Sequence, residues 1–226
     1  MRQSVPSGCL ALVVLLGLLF FPLFLADVIL AALSKLGLSP TTAILAALGI
    51  FLGGLVNIPV KRIAREVPME VPPMLFGLER FVPRQVVRRQ YTVIAVNVGG
   101  CLVPTLIAVY ELMRIAGVGS MAMLLAILAI AINVGVCYSL ARPVPNVGIA
   151  LPSLVPALVA AVCGLLSFRE LAAPLAFAAG VLGPLIGADL LHLREVNKIS
   201  TGVASIGGAG TFDGIVISGL IATLLA

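Results

Sequence analysis

The stretch "SIGGAGTFDGIVISGLIATLLA" runs from Ser205 to Ala226 and decides how this chain is read. It is long and apolar enough to cross a bilayer, which takes about 20 apolar residues. Its first half carries Gly207, Gly208, Gly210 and Gly214, and then Asp213 with no basic neighbour. A lone carboxylate at the centre of a spanning helix costs about 3 kcal/mol or more. Two readings follow. Asp213 faces a polar partner on a neighbouring helix, or it caps a half-helix over 214–226 that an unwound glycine segment leads into.

Working outward, the whole chain is lipid-like. Of its 226 residues 61% are hydrophobic and 10% charged, whereas soluble domains carry about 25% charged residues. Seven apolar segments are read at about 8–33, 41–57, 91–113, 119–138, 147–167, 172–191 and 204–226. The expectation is one all-α integral membrane domain over 1–226, a bundle of about seven transmembrane helices. The first apolar run exceeds the ~7–15 residues of a signal-peptide core and is expected to be a retained span. Cys9, Cys101, Cys137 and Cys163 lie inside apolar runs without a CxxC pair and read as small buried hydrophobes.

Charge sets the expected orientation. Eleven of the 14 basic residues fall on one side: Arg2, seven in the long polar stretch, Arg142, Arg194 and Lys198. Lys35, Arg114 and Arg169 fall on the other. Basic residues collect in cytoplasmic loops, so the N-terminus is expected in the cytoplasm and the C-terminus outside, in a multi-pass prokaryotic plasma membrane. The long polar stretch at about 58–90 holds five prolines, which break any long helix. It is expected to be a basic cytoplasmic loop lying against anionic lipid headgroups. No nucleic-acid partner is expected.

Asp189, near the cytoplasmic end of the sixth segment, is the natural partner of Asp213. The connection between them is short, so the two segments should be antiparallel neighbours with their carboxylates at similar depth. Two such groups share a proton, the chemistry of an aspartic protease. Alternatively Asp189 reaches interfacial water or Arg194. An internal echo, "IAVNVGGC" (Ile94–Cys101) and "IAINVGVC" (Ile130–Cys137), suggests either an inverted repeat or simple small-residue packing. It puts Asn97 and Asn133 at a common depth. With the proline-rich run from Arg142 through Asn146, they are expected to line a polar chamber open to the cytoplasm, together with Gly208, Gly210 and Thr211. Asp27 and Glu111 lie near the outer ends of their spans and receive no role. His192 reads as a helix cap. No metal site or cofactor is expected. "GGAG" follows a loop rather than a strand, which speaks against nucleotide binding.

"PVPNVGIALP" (Pro143–Pro152), "GADLL" (Gly187–Leu191) and "GGAGTFDGI" (Gly207–Ile215) together resemble a family of prokaryotic multi-spanning membrane proteins, domain of unknown function 1614. That resemblance covers most of the chain and implies no activity. The layout of the two aspartates is also similar to presenilin-type and prepilin-peptidase membrane proteases. Those enzymes place the second aspartate in Gly-x-Gly-Asp; here Thr211 and Phe212 intervene, and the only Pro-Ala-Leu, Pro156–Leu158, lies upstream. Three functions are carried forward. One is an intramembrane aspartyl protease using Asp189 and Asp213 on a membrane-protein substrate. The second is a transporter or channel for a small solute or ion, with Asp213 at a broken helix. The third is a scaffold whose working surface is the basic loop.

Overall fold

The computed structural model describes residues 7–70, 85–144, 148–193, 195 and 202–226. The chain is mostly helical. In order come α1 (Ser7–Lys35), α2 (Pro40–Gly53), β1 (Asn57–Glu70), β2 (Gln85–Asn97), α3 (Val103–Val118), α4 (Ser120–Leu140), β3 (Arg142–Val144), β4 (Gly148–Ala150), α5 (Leu154–Leu165), α6 (Ala172–Pro184), β5 (Val203–Ile206) and α7 (Gly214–Leu225). A π-helical turn, Val98–Leu102, leads into α3, and another, Leu185–Leu190, extends α6.

Among the described residues, four helical stretches are long and apolar enough to cross a membrane: Val14–Lys35, Val98–Val118, Ser120–Leu140 and Arg169–Leu190. The other three apolar helices are shorter. α2 has 14 residues, and α5 and α7 have 12 each. At 1.5 Å per residue they reach about 18–21 Å, short of a hydrocarbon core about 30 Å thick. Of the about seven transmembrane helices expected, seven apolar helices are present among the described residues, four of them long enough to cross. The end of α2 is set by Gly53 and Gly54, α5 starts only after the strand pair β3–β4, and α7 starts only after Asp213.

The all-α fold is corrected, because the described parts of the polar stretch between α2 and α3 form a strand pair. β1 and β2 pair antiparallel from Asn57↔Asn97 to Glu70↔Gln85. At about 3.3 Å per residue the ladder is about 45 Å long. β2, "QVVRRQYTVIAVN", is rich in Val, Ile, Thr and Tyr, which suit a pleated surface. It occupies the centre of a sheet of order β1-β2-β5. Pro59 and Pro68 lie in β1, an edge strand, where a missing N–H is tolerated. The third apolar segment therefore begins as strand, and its span starts at Val98. The internal echo does not survive either. Ile94–Asn97 is strand running into a π turn, whereas Ile130–Cys137 lies wholly within α4.

α6 is the axis of the bundle. Its residues Ala172 and Pro174–Val181 are all buried, and it packs against α3, α4, α5 and α7. Small side chains permit this, since each lets a neighbouring backbone approach closely. Gly180 abuts Ser218 and Gly219 of α7, Gly183 abuts the Asn133 side chain of α4, and Gly164 of α5 abuts Ala172 and Ala176. The N-terminal part of α1 lies outside this core, whereas Ile29, Ala32 and Leu33 near its end are buried in it. Leu12, Leu15, Leu18, Leu19, Leu23 and Phe24 are exposed along the N-terminal part, a surface suited to lipid.

Three glycine pairs lock the other elements together. Gly53 and Gly54 end α2, Gly99 and Gly100 open α3, and Gly207 and Gly210 follow β5. A Cβ on Gly99 would strike the Ile50 carbonyl and the Gly54 amide. One on Gly100 would strike the Gly207 carbonyl, and one on Gly210 would sit 3.0 Å from Gly54 Cα. Asn97, wholly buried, staples the same point. Its Nδ2 donates to the Gly54 carbonyl (2.8 Å) and to Asn57 Oδ1 (3.1 Å), and its Oδ1 accepts from the Gly100 amide (2.7 Å).

Two outcomes follow for stability in detergent. Gly100→Ala should lower the melting temperature strongly, since overpacking costs roughly 1–3 kcal/mol or more. Gly135→Ala, which meets nothing within 4 Å, should not lower it. Asn97→Ala should cost about 1–3 kcal/mol by leaving the Gly100 amide without its acceptor.

Candidate functional site

The glycine junction is also where the acidic residues come. β5 delivers the chain into Gly207, which adopts φ +69°, and on through Gly208 and Ala209 to a single 3-10 turn, Gly210–Phe212. Asp213 then caps α7. Its Oδ1 accepts from the Ile215 amide (3.0 Å) and its Oδ2 from the Ala209 amide (3.3 Å). The apolar segment is thus broken, and Asp213 satisfies donors on both sides of the break. Of the two readings of this stretch, the geometry is that of the capped half-helix.

Asp189 arrives from the opposite direction. Pro184 removes a backbone donor from the end of α6, and the chain widens there into the π-helical turn that carries Asp189. The half-buried carboxylate lies against the Gly207 backbone and within electrostatic reach of Asp213. The Cys101 thiol is within electrostatic reach of both aspartates, and the Cys137 thiol within reach of Asp189. α6 and α7 pack directly, as the short connection between them requires. On the outer flank of the break, Phe212 stacks on Phe21 of α1 with ring centroids 6.3 Å apart.

The remaining expected residues divide. Asn97 stands in the junction and Asn133 at the α4–α6 contact, where its Nδ2 donates to the Ala179 carbonyl (2.8 Å). Both asparagines are wholly buried and hydrogen-bonded to backbone, so they act as staples between elements. Gly210 is buried against Gly54, Gly208 is exposed and Thr211 is half-buried on the 3-10 turn. Arg142 is exposed on β3. Asn146 lies outside the described residues. Asp189, Asp213 and the glycine loop converge, while Arg142 turns to the surface.

His192 is a cap, as its position suggested. It is buried, with Nδ1 3.0 Å from the Ala188 carbonyl and 3.1 Å from that of Gly187. Two carbonyls can only accept, so Nδ1 carries the proton. Its ring lies 4.9 Å from Tyr138. The GGAG context is corrected: it follows strand β5, not a loop. An anion is refused there for another reason. The N-terminus of α7 is occupied by the Asp213 carboxylate, which already accepts its Ile215 amide.

Two participants carry no signal in the sequence. Asn57 and Ser205 are joined at 2.5 Å, linking β1 to β5 beside Asn97. They are 148 residues apart, and only the sheet brings them together. Glu111 is the third surprise, wholly buried within α3.

No curated protein and no solved structure matches the chain. A protein-family match does exist, and it extends over residues 51–225. It takes in both aspartates, all three glycine pairs, the β1–β2 pair and every helix except α1 and most of α2. This membrane-like helical chain therefore belongs to the family described as "Protein of unknown function (DUF1614)".

Proposed function

We propose that the protein is a multi-pass transporter or channel of the prokaryotic plasma membrane, in which Asp189 and Asp213 hold a proton or small cation at the broken seventh segment. One observation carries this reading: the non-helical run from Gly207 to Asp213 set directly before the half-helix α7. Non-helical backbone within an apolar segment is tolerated only where protein buries it or a watery cavity receives it. Discontinuous helices of this kind build the central sites of many transporters, with backbone groups and carboxylates as ligands. Intramembrane carboxylates are themselves functional by default. In this reading the N-terminus and the basic β1–β2 pair are cytoplasmic, following the charge count, with exposed Lys61 and Arg62 meeting anionic headgroups.

A second reading has one observation in its favour, that Asp189 and Asp213 lie within electrostatic reach of each other. In an intramembrane protease one carboxylate would activate water and the other protonate the leaving amine. Both oxygens of Asp213 already accept backbone amides, which supports a fixed ligand or cap better than a mobile acid.

Purified protein in liposomes, loaded with a pH-sensitive dye and driven by a potassium gradient with valinomycin, tests the first reading. Asp189→Asn and Asp213→Asn should each slow proton entry about tenfold or more. Asp27→Asn, exposed on α1, should leave it unchanged. Wild-type rates in both site variants would end this reading. An uncleaved membrane protein accumulating in cells that carry either variant would favour the second.

A further inference from the structure

At the end of the bundle away from the glycine junction lies a second buried acid. Lys35 closes α7 there, donating from Nζ to the Leu224 carbonyl (2.8 Å) and the Thr223 carbonyl (3.4 Å). Arg114 reaches from α3 to the Leu36 carbonyl and to Glu111 Oε2 (2.8 Å). The Arg114 side chain is 43% exposed, whereas that of Glu111 is 0% exposed. Glu111 Oε1 has no hydrogen-bond partner among the described residues. If the pair served only to hold Leu36, an acid at the surface would serve as well and avoid burial. Leaving a buried charged oxygen unpaired is among the costlier defects a fold can carry.

The surroundings of Glu111 are otherwise free of charge. α3 packs against α2, α4, α6 and α7, and none of these four helices contains Asp, Glu, Lys, Arg or His. Their titratable side chains are Cys137 and Tyr138, at the far end of α4. Beyond Arg114 on its own helix, the charges at this end are Lys35, committed to α7, and the exposed Arg169 and Glu170. One further buried oxygen lacks a partner among the described residues, Ser218 Oγ on α7, and the buried Thr105 hydroxyl on α3 faces the Cys101 thiol. Thr105 stands about 9 Å below Glu111 along α3, and Ser218 about 7.5 Å beyond Asp213 along α7. Both helices leave the same glycine junction and end beside the same α1–α2 turn. Buried hydroxyls thus occur at graded depths between the aspartates and Glu111, and that of Ser218 is without a partner among the described residues.

We propose that Glu111 is a second proton-binding station, near the outer end of the path that begins at Asp189 and Asp213, with buried water at Thr105 and Ser218 linking the two levels. This rests on the transport reading. A proton delivered by water binds Oε1, the oxygen not engaged by Arg114, and leaves again to water, so no bond is broken elsewhere. A proton is favoured over a metal ion because a single free carboxylate oxygen is far from the six or more oxygens that hard cations collect.

Glu111→Gln keeps an oxygen for Arg114 but cannot take up and release a proton. It should slow proton entry into liposomes about tenfold or more, with the melting temperature near that of wild type. Ser218→Ala should slow it several-fold. Infrared difference spectra of the protein in lipid, between acid and alkaline buffer, should show a carboxyl band that Glu111→Gln removes. Wild-type flux in Glu111→Gln or Ser218→Ala, with Asp213→Asn inactive, overturns this inference and leaves the transport reading standing. Absence of a Glu111-dependent band overturns it whatever the flux. A band that is present in a protein without proton flux supports Glu111 as a proton site and removes the transport reading alone.

Discussion

Contact between bare backbones at the glycine junction is the constraint on which the rest depends. α2, α3 and the β5–α7 connection each end or begin on a pair of glycines, and the pairs touch at distances that no side chain fits. Without that approach Asn97 could not reach both the Gly54 carbonyl and the Gly100 amide. The Gly207 backbone could not lie between Cys101 and Asp189. A membrane interior offers no hydrophobic drive between helices, so close packing and backbone-directed hydrogen bonds must supply the association.

That constraint also explains why polar groups can be held here. The non-helical run at Gly207–Asp213 exposes amides and carbonyls that lipid cannot satisfy. Asp213 takes two of the amides, Asn97 and Asn57 secure the adjoining sheet edge, and His192 takes carbonyls at the end of the α6 extension. The acidic residues are therefore structural members of the junction as well as its chemistry. A role in transport and a role in capping are compatible, because a capping carboxylate still presents lone pairs that its two amides do not use.

At the opposite end the logic is different. Lys35 and Arg114 bond to main-chain carbonyls at the α7 terminus and the α1–α2 turn, closing the bundle with charge-assisted bonds. Glu111 is drawn inside with Arg114, although nothing in the packing of α3 against alanine-rich α6 calls for an acid. Its neighbours along the buried face of α3, Ala108 and Ile115, are apolar.

Much of this was legible in the residues alone. An apolar content of 61% dictates a membrane environment. The order of segments, the packing of the sixth on the seventh and the half-helix capped by Asp213 all follow from local rules: apolar run length, connection length and the preference of aspartate for an N-cap. Periodicity failed where an apolar run was not a helix. "YTVIAVN" (Tyr91–Asn97) is as apolar as a span, yet β-branched residues and a partner strand made it part of a sheet. The prolines of the polar stretch before it were read as breaking any long helix, but an edge strand accommodates Pro59 and Pro68. What only the tertiary structure decided is which of the polar residues meet. Asn57 finds Ser205, and Glu111 disappears from solvent, because those contacts join elements far apart in the chain, and no local spacing rule encodes which distant backbone a side chain will be pressed against.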